Sequence, residues 1–259
     1  MISVLGNRKQ HPFRKKWGQN FLTDKNLLDK IVKVVNPKIN EHFLEIGPGE
    51  GALTERMFPK VNSMVAIEID PILVKEIKKK SVLKGLHILN GDVLLKDIED
   101  LPIKNPVRVI GNIPYNITSP ILFWLIEQLD YWEDAYIMMQ KEVAERLSAT
   151  VNTKLYGRLT VVVGAYLDID YCFTIKPDVF IPKPKVNSAI VHLTKKNPPL
   201  IDDNKYDRFN KLVSAAFSQR RKMLRNTLKG WGISQEKINL IDFTRRPENL
   251  TIDEFVYLV

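Results

Sequence analysis

Between Phe43 and Gln140, short apolar runs rich in β-branched residues alternate with amphipathic stretches of helical period. This is how βαβ units and a mostly parallel sheet appear in a sequence. The runs predict strands near residues 43–46, 64–69, 86–90, 108–111 and 135–139. The stretches between them predict helices near 52–58, 71–80, 119–128 and 141–149, each opened by Gly, Asp, Pro or Thr. A further helix over 25–35, with Asp24 as its cap, is expected to pack on the sheet ahead of the first strand. The second half differs. Residues 167–175 and 186–194 are enriched in β-branched and aromatic residues around a Pro-rich segment, so they predict an antiparallel extension of the sheet. Lys195-Lys196-Asn197-Pro198-Pro199 then forms a charged, Pro-containing break. It divides an α/β domain over 1–196 from a small helical domain over 197–259, with helices expected near 206–218, 221–229, 234–240 and 252–258.

The 259 residues suffice to bury a substantial core, and 39 Lys and Arg against 30 Asp and Glu leave a formal net charge of +9. An excess of this size favours a polyanionic partner, nucleic acid before anionic membrane. The single cysteine, Cys172, excludes an internal disulfide framework and a multi-cysteine zinc site, which fits a reducing compartment. His11, His42, His87 and His192 show no metal-ligand spacing, so no metal is expected. No apolar run approaches a membrane span, and Met1-Ile2-Ser3-Val4-Leu5 passes directly into Gly6-Asn7-Arg8-Lys9 without the apolar core of a signal peptide. A cytoplasmic monomer that engages no membrane is the expectation.

Asn112-Ile113-Pro114-Tyr115 sets an amide, backbone carbonyls and an aromatic ring just past the fourth predicted strand. The Asn112 oxygen and the carbonyl of Ile113 or Pro114 can accept the two hydrogens of an exocyclic amino group while Tyr115 stacks on the ring that bears it. A plain turn uses the same residue types. The choice depends on whether a methyl-donor site lies upstream. Glu45-Ile46-Gly47-Pro48-Gly49-Glu50-Gly51 closes the first strand and opens a helix, and its glycines let backbone approach a ligand. Glu68, ending the second strand, is placed to accept ribose hydroxyls, and Asp92, ending the third, to accept from an adenine amino group. The alternative is that both merely cap the helices that follow. Carboxylates at consecutive strand ends beside a glycine loop favour a nucleoside. The loop is G-x-G-x-G rather than the pyrophosphate pattern G-x-G-x-x-G, which suits S-adenosylmethionine, a nucleoside donor without phosphate.

With these residues in place, the chain resembles the small-subunit ribosomal RNA adenine N6,N6-dimethyltransferases, with the macrolide-resistance methyltransferases of large-subunit RNA as near relatives. Six segments in family order carry the resemblance. They are Gly18-Gln19-Asn20-Phe21-Leu22, Glu45 to Gly49, Asn112 to Tyr115, Tyr156-Gly157-Arg158-Leu159, Phe180-Ile181-Pro182-Lys183-Pro184-Lys185-Val186-Asn187-Ser188, and Phe217-Ser218-Gln219-Arg220-Arg221-Lys222-Met223-Leu224-Arg225-Asn226. The resemblance implies a Rossmann-like S-adenosylmethionine-dependent methyltransferase fold with a helical, RNA-binding C-terminal domain. It also implies donor contacts from Asn20, Leu22, Gly47, Glu68, Asp92 and Asn112, and target-base contacts from Asn112, Tyr115 and Phe180. Two positions depart from the family pattern: Trp17 stands where a smaller apolar residue is common, and Val151-Asn152 replaces a usual Pro-Gly.

The implied reaction dimethylates N6 of two adjacent adenosines in the 3′-terminal hairpin region of small-subunit rRNA, within an assembling 30S-type particle and with a role in its maturation. Adenine N6 is a weak nucleophile because its lone pair is delocalised. Two acceptors on its hydrogens favour a pyramidal nitrogen aimed at the methyl group, so positioning and electrostatics carry catalysis without a strong base. Unstacking of the base would be offset between Tyr115 and Phe180 by about 1–3 kcal/mol per aromatic contact. For Phe180 alone, core packing is the competing assignment. Arg220, Arg221, Lys222 and Arg225 lie beside an apolar stripe of Val213, Phe217, Leu224 and Leu228 at helical spacing, and point to RNA phosphates rather than to a merely solvated face. Lys183 and Lys185, with Arg8, Lys9, Arg14, Lys15 and Lys16, extend the track. Two rivals remain at this stage: the 23S rRNA resistance enzyme, and a non-catalytic rRNA-binding assembly factor.

Overall fold

A computed structural model of the chain describes residues 19–259. Trp17, Gly18, Arg8, Lys9, Arg14, Lys15 and Lys16 lie outside the described residues. The strands are β1 (Phe21–Leu22), β2 (His42–Ile46), β3 (Ser63–Glu68), β4 (His87–Asn90), β5 (Val107–Asn112), β6 (Trp132–Gln140), β7 (Leu167–Ile175), β8 (Phe180–Ile181) and β9 (Ser188–Lys195). Seven of them form one sheet in the order β4-β3-β2-β5-β6-β9-β7. The pairs from β4 to β6 are parallel, and β9 runs antiparallel to both β6 and β7. This is the Rossmann-like methyltransferase arrangement, with the expected antiparallel extension produced by inserting β9 between β6 and the edge strand β7.

The helices are α1 (Lys25–Val35), α2 (Thr54–Met57), α3 (Pro71–Lys78), α4 (Thr118–Glu127), α5 (Lys141–Leu147), α6 (Arg158–Gly164), α7 (Tyr206–Phe217), α8 (Leu224–Thr227), α9 (Gln235–Leu240) and α10 (Ile252–Tyr257). In α1 the buried positions Leu28, Ile31, Val32 and Val35 follow the helical period. Asp24 starts that helix by accepting the Leu27 N–H at 2.8 Å, and Asn36 ends it at φ 52°. Asp70 caps α3 in the same way, with Pro71 in the first turn where no N–H is needed.

Three differences from the expected elements have physical causes. Pro59 ends α2 early, and a 3₁₀ turn over Phe58–Lys60 replaces its last turn. Val161-Val162-Val163, whose β-branching disfavours a helix, nevertheless lies in α6, because that helix buries all three completely. The basic stretch expected as one helix over 221–229 is a turn followed by the single turn α8.

Leu44, Val109, Ile121 and Leu125 from the sheet and α4 share one buried cluster with Val161 of α6 and with Phe209, Leu212 and Phe255 of the C-terminal helices. A second cluster lies against α1 and includes Phe43, Ile110, Tyr136 and Ile190. β1 and β8 stand apart from the main sheet as an antiparallel ribbon, in which Phe21 pairs with Ile181 and Leu22 with Phe180. Among the described residues no helix is long and apolar enough to cross a membrane.

Candidate active site

β2 has β3 on one side and β5 on the other, so the chain leaves it in one direction and later returns past it in the other. The carboxyl ends of strands part at such a switch point and open a crevice. Ile46 pairs with Gly111 across it, which makes Gly47 and Asn112 neighbours. A Cβ on Gly47 would stand 3.7 Å from the Asn112 carbonyl oxygen. The loop after β2 needs its glycines on backbone grounds, with φ at 67° for Gly47 and 60° for Gly49. Space is also limiting, since a Cβ on Gly49 would meet the Phe21 ring at 2.9 Å.

The cavity at this crevice is lined by all six residues expected to touch the donor, namely Asn20, Leu22, Gly47, Glu68, Asp92 and Asn112. Glu45, Glu50, Phe21, Ile69 and Val93 line it too, and among the described residues no Lys or Arg does. A wall of carboxylates and apolar groups without a cation suits a positively charged nucleoside derivative and is unsuited to a pyrophosphate.

The acidic strand ends both bond the backbone that follows and line the cavity. Glu68 accepts the Gly49 N–H at 3.0 Å through one oxygen and the Asp70 N–H at 2.9 Å through the other, which fixes the glycine loop to the start of α3. Burial pushes the Glu68 carboxyl above its ordinary range, and the backbone N–H groups of Asp70, Gly49 and Ile69 pull against that rise. Asp92 accepts the Leu94 N–H at 3.0 Å, capping a short turn while it lines the cavity.

Asn112 ends β5 and donates through Nδ2 to the Asn20 carbonyl at 2.9 Å. Because a backbone carbonyl can only accept, this bond settles which end of the amide faces β1 and leaves Oδ1 as an acceptor at the cavity wall. The segment bearing Asn20 is held in turn by the β1–β8 ribbon and by the Thr23 N–H, which donates to the Val179 carbonyl at 3.0 Å.

Tyr115 and Phe180 do not line this cavity. Tyr115 is half-buried, three residues beyond Asn112, with its hydroxyl 2.7 Å from that of Ser188. Phe180 is only 2 % exposed and packs in the cluster that contains Leu22, its partner across the ribbon. In this state its ring is a core element.

Sequence comparison adds to this geometry. The family model described as ribosomal RNA adenine dimethylase matches residues 10–257. The chain belongs to that family. It is 40 % identical to the ribosomal RNA small subunit methyltransferase A of Legionella pneumophila (strain Corby), over 96 % of this chain and 97 % of that protein. Identity is also 40 % to the protein of the same name from Nitrosococcus oceani, with 99 % and 97 % covered. Among solved structures, a dimethyladenosine transferase from Plasmodium falciparum superimposes with a TM-score of 0.79 at 28 % identity, covering 92 % of this chain and 95 % of that one. The 23S rRNA methyltransferase ErmE gives a TM-score of 0.71 at 26 % identity, covering 92 % and 98 %.

Within this adenine dimethylase the basic residues differ in what they touch. Arg221, Lys222 and Arg225 are exposed around the turn that joins α7 to α8. Arg220 instead donates to the Thr153 carbonyl at 3.1 Å and lies 3.4 Å from a Glu248 carboxylate oxygen, tying the 150–153 loop to the C-terminal helices. Lys183 pairs with Asp178 at 2.5 Å, and Lys185 is exposed in the same loop. The departure at Val151-Asn152 has a local explanation. Asn152 takes a left-handed φ of 69°, a conformation that glycine adopts freely and that asparagine tolerates better than most residues. It compensates by accepting from the Asn249 side chain at 2.7 Å.

Two residues of the site carried no role in the sequence reading. Glu45 is a lone acid in the otherwise apolar run of β2, and that was the available signal. It is 2 % exposed, accepts the Thr54 hydroxyl at 2.6 Å, and burial pushes its pKa up to about 7. Ser188 ends the Phe180 segment, and no local pattern marks what its hydroxyl meets.

Proposed function

We propose that this adenine dimethylase transfers methyl groups from S-adenosylmethionine to N6 of two adjacent adenosines in the 3′-terminal hairpin region of small-subunit (16S) rRNA. The observation that carries this reading is the Asn112 amide, which spends its N–H on Asn20 and keeps its oxygen for an amino group beside a carboxylate-lined cavity. The donor supplies an electrophilic methyl group on a positively charged sulfur. Glu68 and Asp92 hold ribose and adenine, Gly47 admits the donor close to the backbone, and Asn20 and Leu22 cover it from β1. The Asn112 oxygen and the Ile113 or Pro114 carbonyl accept the two N6 hydrogens, so that the nitrogen lone pair points into the cavity. Tyr115 offers its ring face to the extruded base.

Phe180 reaches the base only if the β1–β8 ribbon shifts, since its ring is covered in the present arrangement. Arg221, Lys222 and Arg225, with Lys183 and Lys185, neutralise RNA phosphates. Arg220 contributes to the same face while holding the 150–153 loop. The particle is an assembling 30S-type subunit in the cytoplasm, engaged by a monomer through residues on both sides of the break at 196/197. Support for the small subunit comes from relatives that share about 40 % of residues and are named for it, against 26 % for the large-subunit enzyme.

Under-methylated small subunits and large-subunit RNA, each incubated with labelled donor and digested to nucleosides, test the assignment. Dimethyladenosine in the small subunit is expected. Label confined to large-subunit RNA would overturn it.

A further inference from the structure

Ser188 begins β9, where it pairs with Gln140 at the end of β6 and with Ile175 at the end of β7. Because β9 is antiparallel to β6, this start lies at the same carboxyl edge of the sheet as Asn112. Asn112 is level with Met138 and Met138 with Ile190, which places Ser188 one pleat repeat further towards the crevice. The Ser188 side chain is fully buried, and its hydroxyl lies 2.7 Å from the Tyr115 hydroxyl. The edge around it is closed by the Lys141 N–H, which donates to the Asn187 carbonyl at 2.9 Å.

Tyr115 is therefore held at both ends. Its backbone carbonyl accepts the Thr118 hydroxyl at 3.1 Å, in the turn that follows Pro114. The far end of its ring is fixed by Ser188. Because the hydroxyl oxygen lies on the Cβ–Cγ axis, the bond to Ser188 fixes χ1 and the direction of the ring axis, and the in-plane preference of a phenol O–H then favours one ring plane.

We infer that Ser188 is a positioning residue for methyl transfer, one that orients the Tyr115 ring as a flat wall for the adenine through the hydroxyl–hydroxyl bond. The inference rests on the reading of Tyr115 as the base-stacking face. Since the phenol oxygen is engaged with a buried partner at one end of the ring, Tyr115 presents its π face to the base. The N6 hydrogens are then left to the Asn112 oxygen and the neighbouring carbonyl. A buried serine that served only the strand would find a backbone partner, whereas this hydroxyl reaches across β6 to the loop after β5.

The test uses the full chain with Tyr115→Ala, Tyr115→Phe, Ser188→Ala, Ser188→Thr and the double variant Tyr115→Phe/Ser188→Ala. Methylation of under-methylated small subunits gives kcat and KM, calorimetry gives donor affinity, and thermal unfolding gives Tm. Tyr115→Phe and Ser188→Ala are each expected to lower kcat/KM by roughly 5- to 30-fold, the worth of one buried hydrogen bond, with donor affinity unchanged. The double variant is expected to be no worse than either single one, because both remove the same bond. Ser188→Thr keeps the hydroxyl and is expected to restore activity. If Tyr115→Ala is inactive while Tyr115→Phe matches the wild type, or if the double loss is the sum of the single losses, the positioning role is overturned and the stacking role stands. Wild-type activity in Tyr115→Ala would overturn the stacking role itself. Tyr115→Phe keeps the test decisive should Ser188→Ala fail to fold.

Discussion

The Asn112 side chain donates to the Asn20 backbone carbonyl at 2.9 Å across 92 positions of sequence, joining the end of a central strand to the segment that roofs the cavity. One bond thus orients the Asn112 amide and anchors the Asn20 segment at the cavity. Asn112→Ala removes both, and kcat is expected to fall by roughly 100-fold or more, as when a catalytic hydrogen-bonding group is lost. Binding of small subunits, followed by filter retention, should change little. Asn112→Asp should fail as well, because a carboxylate would turn an acceptor towards the Asn20 carbonyl.

Glu68 holds two backbone N–H groups as well as lining the cavity, so its loss should register twice. Glu68→Ala is expected to weaken donor binding and to lower stability by about 1–3 kcal/mol, from two buried donors left unpaired. Calorimetric titration of donor and denaturant unfolding measure the two effects. An unchanged titration with lowered stability would confine Glu68 to the loop.

The Glu45 carboxyl has an ordinary value of 4.5 and is pushed up to about 7 by burial. The native state therefore binds a proton that the unfolded chain releases in this window. Stability from this group is highest below about pH 4.5 and falls as pH rises towards 7, by on the order of 3 kcal/mol. Glu45→Gln keeps the acceptor for Thr54 and removes the buried charge. Its Tm without donor should exceed that of the wild type at pH 8 and match it near pH 4. Donor affinity in the wild type should rise between pH 6 and 8, since a cationic ligand favours the ionised carboxylate, and this rise should vanish in Glu45→Gln.

Asp134 accepts from Arg108 at 2.7 and 2.9 Å and lies 2.9 Å from His192, whose ring stacks on Tyr136. Burial alone would raise the Asp134 carboxyl, but the His192 and Arg108 bonds outweigh it and hold it below its ordinary value of 3.8. Its stabilisation is present above that value and is lost as pH falls through the lower native value. Asp134→Asn is expected to cost about 3 kcal/mol at pH 7, because Arg108 would keep only Glu41 as a carboxylate partner. The difference from wild type should shrink in acid unfolding curves.

Much of the cavity lining was legible along the chain. Gly47, Glu68, Asp92 and Asn112 each fall at or just beyond a strand end, and a parallel sheet brings strand ends together whatever the details of its packing. The surroundings of Tyr115 and Phe180 were less legible. Phe180 carries no local mark that separates a wall for a base from a core ring, and its burial against Leu22 depends on a ribbon formed with a segment far upstream. The basic run around Arg220 looked uniform, yet one guanidinium is held by Thr153 while its neighbours stay exposed.

Periodicity, turn residues and charge balance were enough to determine an α/β sheet, the strand-end positions of Gly47, Glu68, Asp92 and Asn112 and a charge that favours a polyanion, because these follow from each residue and its near neighbours. Tertiary structure alone decided that Val161-Val162-Val163 is helical, that Asn20 fixes the Asn112 amide and that Ser188 meets Tyr115. Each of these depends on burial or on a partner remote in sequence, and no local propensity encodes such a partner.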